Sequence, residues 1–280
     1  MKEIKLPFGL KDDTLIHISQ AEQGIACGCV CPSCRATLVA RKGSIKIHHF
    51  AHQNGQPCQY AVETALHLAS KQLLSECHEI SLPSVDIRFR SYREPLTVTP
   101  AATYRLDEVW EERRTEDIVP DLLARVGTSM LMIEIYVTHP INPTKLDKIR
   151  RLGISAIEID LSSASRDFSP ASLRDALVNQ TKNKAWLFNA NAEELKRHLL
   201  QTGERKDVIR RGCALHVDYC PINARIWQDK SYANVIDDCI NCEYCFDLSE
   251  DKNALICGGL HKVTTSGALC IFEKHHNSTS

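Results

Sequence analysis

Two carboxylates, Asp121 and Glu134, carry the clearest chemical signal in this chain. Each lies in an apolar segment, Asp121 in residues 118–125 and Glu134 in residues 129–138. The turn-like break at residues 126–128 separates the segments, so we predict a β-hairpin that brings the carboxylates close together. A carboxylate in an apolar sheet is costly unless it is paired or binds a metal. The pair therefore indicates a divalent-cation site and phosphodiester chemistry; the alternative is two carboxylates at exposed strand ends.

Length, composition and charge limit the class of protein to which this chain can belong. The chain has 280 residues, enough for two or three domains, and 43% of them are hydrophobic, which is typical of a globular protein. The net charge of -1 means that any nucleic-acid surface must be a local patch. No apolar run approaches the roughly 20 residues of a membrane span, and the first residues lack the apolar core of a signal peptide. We therefore expect a cytoplasmic protein.

Twelve of the thirteen cysteines fall into two groups at the ends of the chain, and Cys77 lies between the groups. Five lie between Cys27 and Cys58, and seven lie between Cys213 and Cys270. Disulfides are disfavoured in the cytoplasm, so clustered cysteines there favour metal binding. The predicted domains are a zinc-binding β module (1–58), an α/β core (59–190) and a C-terminal helical segment with a zinc-ribbon-like module (191–280).

The N-terminal group has the spacing of a zinc site. Cys31 and Cys34 form a C-x2-C knuckle, which places both thiolates on one side of a metal. Cys58 and one of His49 or His52 would complete the tetrahedron that Zn²⁺ prefers. The alternative is a set of reduced thiols beside surface histidines.

The elements around these residues follow from hydrophobic periodicity and turn signals. The helix predicted at residues 59–76 carries Glu63 and His67, which are four apart and share a helix face. The other predicted helices are 143–152, 169–182 and 192–202. The predicted strands are 3–6, 14–18, 36–41, 44–47, 84–89, 105–113, 118–126, 130–137, 155–159 and 184–188. These elements make an α/β core.

The order of three motifs resembles the PD-(D/E)XK nuclease superfamily: Glu63 on a helix, Asp121 after a proline, then Glu134-Ile135-Tyr136. More narrowly, the chain resembles competence protein CoiA-like proteins, which pair a Cys-x2-Cys…His-Phe-x-His…Cys module with a nuclease-like core. The matching module residues are Cys31, Cys34, His49-Phe50-Ala51-His52 and Cys58. The resemblance implies an α/β fold with a PD-(D/E)XK-like core (helix, mixed sheet, helix), flanked by small zinc-binding modules at both ends.

The resemblance also implies an activity, metal-dependent hydrolysis of phosphodiester bonds in DNA. Asp121, Glu134 and the carbonyl of Ile135 would hold Mg²⁺ or Mn²⁺, and Glu63 would hold a second ion or a bound water. The metal would lower the pKa of that water and neutralise the scissile phosphate.

One position departs from the family pattern. The superfamily has Lys two residues after the Glu, and the CoiA-like branch has Gln, but Tyr136 stands there. A lysine would orient the attacking water and stabilise charge on the phosphate. Lys145 or Lys148 on the next helix could supply that charge, and the resemblance favours Lys145. If neither reaches the site, the domain binds DNA without cutting it.

The C-terminal region carries five closely spaced cysteines: Cys220, Cys239, Cys242, Cys245 and Cys257. Cys239 and Cys242 form a knuckle, and Cys220 and Cys257 complete a zinc ribbon. Cys245 extends the run to C-x2-C-x2-C, which also fits an iron–sulfur cluster. The ferredoxin pattern requires a fourth cysteine followed by proline, where Ser249 and Glu250 stand. Zinc is therefore favoured, with an iron–sulfur cluster as the alternative.

Overall fold

The computed structural model describes residues 5–55, 58–89, 95–162 and 168–259, and Cys270 lies outside them. The fold is mixed α/β, and strands predominate. Two compact units are present: one contains the residues up to Pro83 with Ala102–Phe188, and the other contains Ser84–Ala101 with the residues from Asn189 onward. None of the described helices has both the length and the hydropathy to span a bilayer.

Two small antiparallel ladders begin the first unit. Strands β1 (Phe8–Lys11) and β2 (Thr14–His17) form one, and β3 (Leu38–Arg41) and β4 (His49–His52) form the other. The strand predicted at residues 44–47 is wrong: Ile45 is 95% exposed, and the strand begins five residues later, where Phe50 is buried. In the strand predicted at residues 3–6, Leu6 makes only an isolated bridge to Phe50, and residues 3 and 4 lie outside the described residues.

Helix α1 (Ala61–Cys77) leads into a two-stranded ladder of β5 (Glu79–Leu82) and β8 (Ala102–Arg105). The single strand predicted at residues 105–113 is wrong. The chain leaves β8 and enters β9 (Glu108–Glu111) in a different sheet. The change occurs at Leu106, whose N–H donates to the carbonyl of His78 while the next N–H donates to the carbonyl of Arg125.

The centre of the first unit is a five-stranded sheet. It contains β9, β10 (Leu122–Val126), β11 (Ser129–Tyr136), β12 (Ser155–Asp160) and β13 (Lys184–Phe188), in the order β13-β12-β11-β10-β9. Strands β11 and β12 run parallel, and the other pairs are antiparallel. The predicted hairpin joins β10 to β11, with Gly127 at a φ of 59° in its turn. Glycine suits this left-handed position because it has no Cβ to clash.

Helix α2 (Pro143–Leu152) connects β11 to β12, as parallel neighbours require a crossover. The Asn142 side chain caps its first turn, and Gly153 ends it in the left-handed conformation. Ile149 packs with Met132 and Ala156 of the sheet in one buried cluster. This packing fixes the helix against the two strands that follow Asp121 in the chain.

Helix α3 (Pro170–Arg174) continues into a π-helical turn at Asp175–Asn179. The helix predicted at residues 169–182 therefore ends at Asn179, and its second half is π-helical. The Asp175 carboxylate accepts hydrogen bonds from the side chains of Asn179 and Gln180, and Gln180 has an extended backbone that stops the helix.

In the described part of the second unit, the one α-helix is α4 (Ala190–Thr202). It begins two residues before its predicted start and is capped by Asn189. Strands β6 (Val85–Ile87) and β7 (Leu96–Thr99) form an antiparallel pair in the same unit. A three-stranded sheet has the order β14-β20-β19 and a four-stranded sheet has the order β15-β16-β18-β17. Their bounds are β14 (Glu204–Asp207), β15 (Ile209–Arg211), β16 (Ala214–Asp218), β17 (Arg225–Trp227), β18 (Lys230–Asn234), β19 (Cys245–Leu248) and β20 (Ala254–Cys257).

Candidate functional site

The N-terminal module brings four metal-binding side chains together: Cys31, Cys34, His52 and Cys58. Their ligand atoms all lie within 4.8 Å of one another, and Cys34 Sγ is 3.3 Å from His52 Nε2. The Arg35 N–H donates a hydrogen bond to the carbonyl of Cys31, and this bond closes the turn that forms the knuckle. Three thiols and an imidazole are a ligand set that zinc prefers, so this cluster could hold a zinc ion.

His49 does not join this group, although the sequence offered it as an alternative ligand. His49 and His52 are three apart on β4, and side chains alternate across a strand, so the two face opposite sides. The buried His49 ring instead lies 2.8 Å, through Nδ1, from the carbonyl oxygen of Ile47. Cys27 and Cys29 are buried free thiols that contact backbone carbonyls.

The hairpin places Asp121 and Glu134 side by side. Leu122 lies opposite Ile133 in the β10–β11 ladder, so the next positions outward are Asp121 and Glu134. Asp121 Oδ2 accepts a 2.8 Å hydrogen bond from the N–H of Ile135. Glu134 is only 7% exposed, which removes the alternative of two exposed carboxylates.

Helix α1 supplies nitrogen groups to Asp121. His67 Nδ1 lies 3.4 Å from Asp121 Oδ2, and Lys71 Nζ lies 3.8 Å from Asp121 Oδ1. Lys71 Nζ also lies 2.5 Å from Glu112 Oε1, and its side chain is only 6% exposed. Glu63 lies one helical turn before His67 on the same face of α1.

Sequence reasoning missed Lys71. It lies four residues after His67, so the i, i+4 spacing that linked Glu63 to His67 reaches Lys71 when it is carried one turn further. Lysine is almost never buried unless it is paired. The two carboxylate partners of Lys71, Glu112 and Asp121, are distant from it in the chain. The helical spacing of Lys71 could therefore be read from the sequence, but the burial of its side chain could not.

The partners of Asp121 control its charge. Burial acts to raise the pKa of Asp121, but the hydrogen bond with His67, the N–H of Ile135 and the charge of Lys71 outweigh burial. The pKa is therefore lowered, and Asp121 is an anion at neutral pH.

Helix α2 supplies Lys145 to Glu134. Lys145 Nζ lies 2.7 Å from Glu134 Oε1 and 2.8 Å from Oε2, so the ammonium bridges both oxygens. Burial raises the pKa of Glu134 to about 7, and the charge and hydrogen bond of Lys145 oppose that rise. Nearby Asp121 and Glu158 add to the rise. Glu134 thus depends on a cation to remain ionised.

Tyr136 and Lys148 are the other residues that the sequence places near Glu134. Tyr136 lies two residues after Glu134 on β11, so both side chains are on the same face of the sheet. Lys148 Nζ lies 3.1 Å from both the carboxylate and the carbonyl oxygen of Asp117. Lys145 is therefore the lysine of α2 that contacts the carboxylate pair.

The C-terminal cysteines converge on one small cavity in the second unit. Its sulfur lining comes from Cys220, Cys239, Cys242, Cys245 and Cys257. Burial, followed by the charges of the other four, raises the pKa of Cys239 to about 12. These thiols are spaced more widely than the N-terminal cluster, which alone among the described residues brings its ligand atoms within 4.8 Å.

Comparison with known proteins identifies one region. The family model described as the competence protein CoiA N-terminal domain matches residues 16–61. The match confirms the predicted resemblance to the competence protein CoiA family over those residues. It ends before Asp121 and Glu134, so it does not bear on the PD-(D/E)XK core or on nuclease activity. No curated protein and no solved structure matches the chain.

Proposed function

We propose that this protein is a metal-dependent nuclease that hydrolyses phosphodiester bonds in DNA. In this proposal α1, the mixed five-stranded sheet and α2 form a PD-(D/E)XK-like core. The observation that supports it most is the contact of Lys145 with both oxygens of Glu134. That contact provides a lysine at the carboxylate pair although Tyr136 stands at the usual lysine position.

The donor atoms at this site fit Mg²⁺ or Mn²⁺. Asp121 and Glu134 offer carboxylate oxygens from neighbouring strands, and hard divalent cations prefer oxygen ligands. Glu63, on the α1 face that carries His67, is the candidate for an outer ligand or for holding a water. A cation bound there supplies a more acidic water and neutralises charge on the phosphate.

The protein groups around the carboxylates have separate tasks. His67, Lys71 and the N–H of Ile135 orient Asp121 and keep it ionised. Lys145 brings positive charge to Glu134, and its side chain is 28% exposed, so it can also meet an anionic substrate. Fixed charges of this kind stabilise a developing phosphate charge more than water does. DNA is the proposed substrate because the motif order resembles DNA nucleases.

A second candidate function is DNA binding without cleavage, which the tyrosine at position 136 favours. Tyr136 can donate a hydrogen bond but carries no positive charge. This alternative predicts DNA binding that weakens as salt rises, with no turnover in any metal.

The test is cleavage of single- and double-stranded DNA in Mg²⁺ or Mn²⁺ by the full-length protein and its Asp121→Asn and Glu134→Gln variants. Each variant should lose at least about 100-fold in rate, the scale on which a lost electrostatic contact to the transition state lowers kcat. Asp117→Asn is the matched control, because that carboxylate pairs with Lys148 rather than with the site. Equal cleavage by wild type and both site variants contradicts the proposal, and binding without turnover supports the second candidate.

A further inference from the structure

The β-sheet part of the second unit has a core in which sulfur replaces much of the usual hydrocarbon. The buried members of this core are Val217, Cys220, Ala233, Val235, Cys239, Cys245 and Leu255. Val208, Leu215, Cys242, Leu248 and Cys257 are partly buried and pack against it. Five of these twelve side chains are cysteines, and another is an alanine, so the core buries less hydrocarbon than an aliphatic core of the same size. Small folds with so little apolar core are usually held by a disulfide or a structural metal.

The five thiols line one cavity, although they are spaced more widely than the ligand atoms of the N-terminal cluster. The cavity has a volume of about 30 Å³, and none of the five thiols is in a disulfide. A cavity of that size has room for about two water-sized spheres, which is enough for a single metal ion. Thiols are ligands that zinc prefers.

Four of the thiols match the zinc-ribbon pattern, a knuckle with one cysteine before it and one after it. A short turn at Cys239–Asn241, in which the Cys242 N–H donates to the carbonyl of Cys239, forms the knuckle. Cys220 follows β16, and Cys257 is the last residue of β20. The fifth thiol, Cys245, lies directly opposite Cys257 within the β19–β20 ladder.

A buried cation also lines the cavity. Lys206 is 9% exposed, and its Nζ lies 3.3 Å from the carbonyl oxygen of Tyr219 and 2.9 Å from Glu204 Oε2. A four-thiolate zinc site carries net negative charge, and an ammonium beside it reduces the electrostatic cost of burying that charge. Lys206 therefore suits a thiolate site more than it suits a purely apolar core.

We propose that Cys220, Cys239, Cys242 and Cys257 bind one structural Zn²⁺ that holds the β-sheets of the second unit together, while Cys245 packs beside them. Zinc binding releases the thiol protons to solvent and leaves every sulfur in the same oxidation state. This site is separate from the nuclease proposal, and its test needs no DNA.

The test is the zinc content of full-length protein purified anaerobically under reducing conditions. Wild type should contain two zinc ions for each chain, and the Cys34→Ser and Cys242→Ser variants should each contain one. The double variant should contain none. A wild-type content of one zinc ion, or two ions retained in Cys242→Ser, overturns the proposal. Stoichiometric iron with a brown colour overturns it in favour of an iron–sulfur cluster.

Two matched controls test the ligand set. Cys245→Ser removes a buried thiol from the same cavity, and Cys213→Ser removes an exposed thiol from the same unit. Both should keep two zinc ions, and loss of one from Cys245→Ser overturns the assignment of the four ligands.

Cobalt substitution covers the case in which Cys242→Ser does not fold. Cys34→Ser leaves the C-terminal cysteines intact, so its remaining site should give the absorption of tetrahedral cobalt bound by four sulfurs. A spectrum with mixed nitrogen and sulfur ligands, or no bound cobalt, contradicts the proposal.

Discussion

The α1 side and the α2 side of the carboxylate pair differ in how firmly each fixes its lysine. On the α1 side, Lys71 is buried between Glu112 and Asp121. On the α2 side, Lys145 is 28% exposed and contacts both oxygens of Glu134. A lysine buried between two carboxylates can position a ligand but cannot easily move, whereas a partly exposed lysine can exchange its carboxylate for a substrate. In the proposed nuclease, this difference would give Lys71 a positioning role and Lys145 the contact with substrate.

The pKa values of the two carboxylates also differ between the α1 side and the α2 side. Burial acts to raise the pKa of both, yet the pKa of Asp121 is lowered and that of Glu134 is raised to about 7. Asp121 has an imidazole, a backbone N–H and a lysine to oppose burial, whereas the opposing group at Glu134 is Lys145. Deeper burial, fewer opposing partners and the like charges of Asp121 and Glu158 together leave the pKa of Glu134 raised.

The largest effect is expected from Lys145→Met. Cleavage should fall by about 100-fold, because the variant removes a positive charge that faces the developing phosphate charge. The free energy of unfolding should also fall, by about 3 kcal/mol, because the buried Glu134 loses the cation that opposes its burial. Steady-state cleavage and urea unfolding measure the two quantities. Lys148→Met is the control, and an equal loss in both variants would remove the distinction between the two lysines.

A smaller effect on activity, with a comparable effect on stability, is expected from Lys71→Met. Affinity for Mn²⁺ should fall by about tenfold, as it does when the hydrogen-bonding partner of a metal ligand is lost. The free energy of unfolding should fall by about 3 kcal/mol, because Asp121 loses a buried partner. Calorimetric titration with Mn²⁺ and urea unfolding test this. Loss of cleavage with unchanged Mn²⁺ affinity and stability would contradict a positioning role.

A lysine at position 136 should partly replace Lys145. Tyr136 shares a sheet face with Glu134, so Tyr136→Lys in the Lys145→Met background brings an ammonium to the same face. Part of the lost rate should return in a cleavage assay. No recovery in a folded double variant, as judged by circular dichroism, would show that the charge acts only from α2.

The smallest effect is expected from Tyr136→Phe. The hydroxyl carries no charge, so the rate should stay within about twofold of wild type, well below the effect of a lost electrostatic contact. A loss of rate as large as that of Lys145→Met would contradict this expectation. It would mean that the hydroxyl of Tyr136, rather than Lys145, stabilises the charge on the phosphate.

The sequence predicted the parts of this site that depend on local signals. The turn-like break at residues 126–128 marked the hairpin, and the helix predicted at residues 143–152 matches α2. The family resemblance then selected Lys145. Lys71 was missed because its burial depends on Glu112, 41 residues away. The division of residues 105–113 between two sheets was also missed, because it depends on pairing with distant strands.

Cysteine spacing also predicted part of the N-terminal cluster, because the spacing is a local signal. The Cys31–Cys34 knuckle is a local feature, and the sequence identified it. The choice of His52 over His49 depended on the strand beginning at His49, which the sequence placed at residues 44–47. One misplaced strand was enough to leave the fourth ligand open.

The central claim is that Asp121 and Glu134 act together as one divalent-cation site. Binding of Mn²⁺ to zinc-loaded protein, followed by electron paramagnetic resonance of the free ion, tests it most directly. Wild type and Asp117→Asn should bind Mn²⁺ with the same affinity, and the combined Asp121→Asn/Glu134→Gln variant should lose that binding. Unchanged Mn²⁺ binding by the combined variant would contradict the claim.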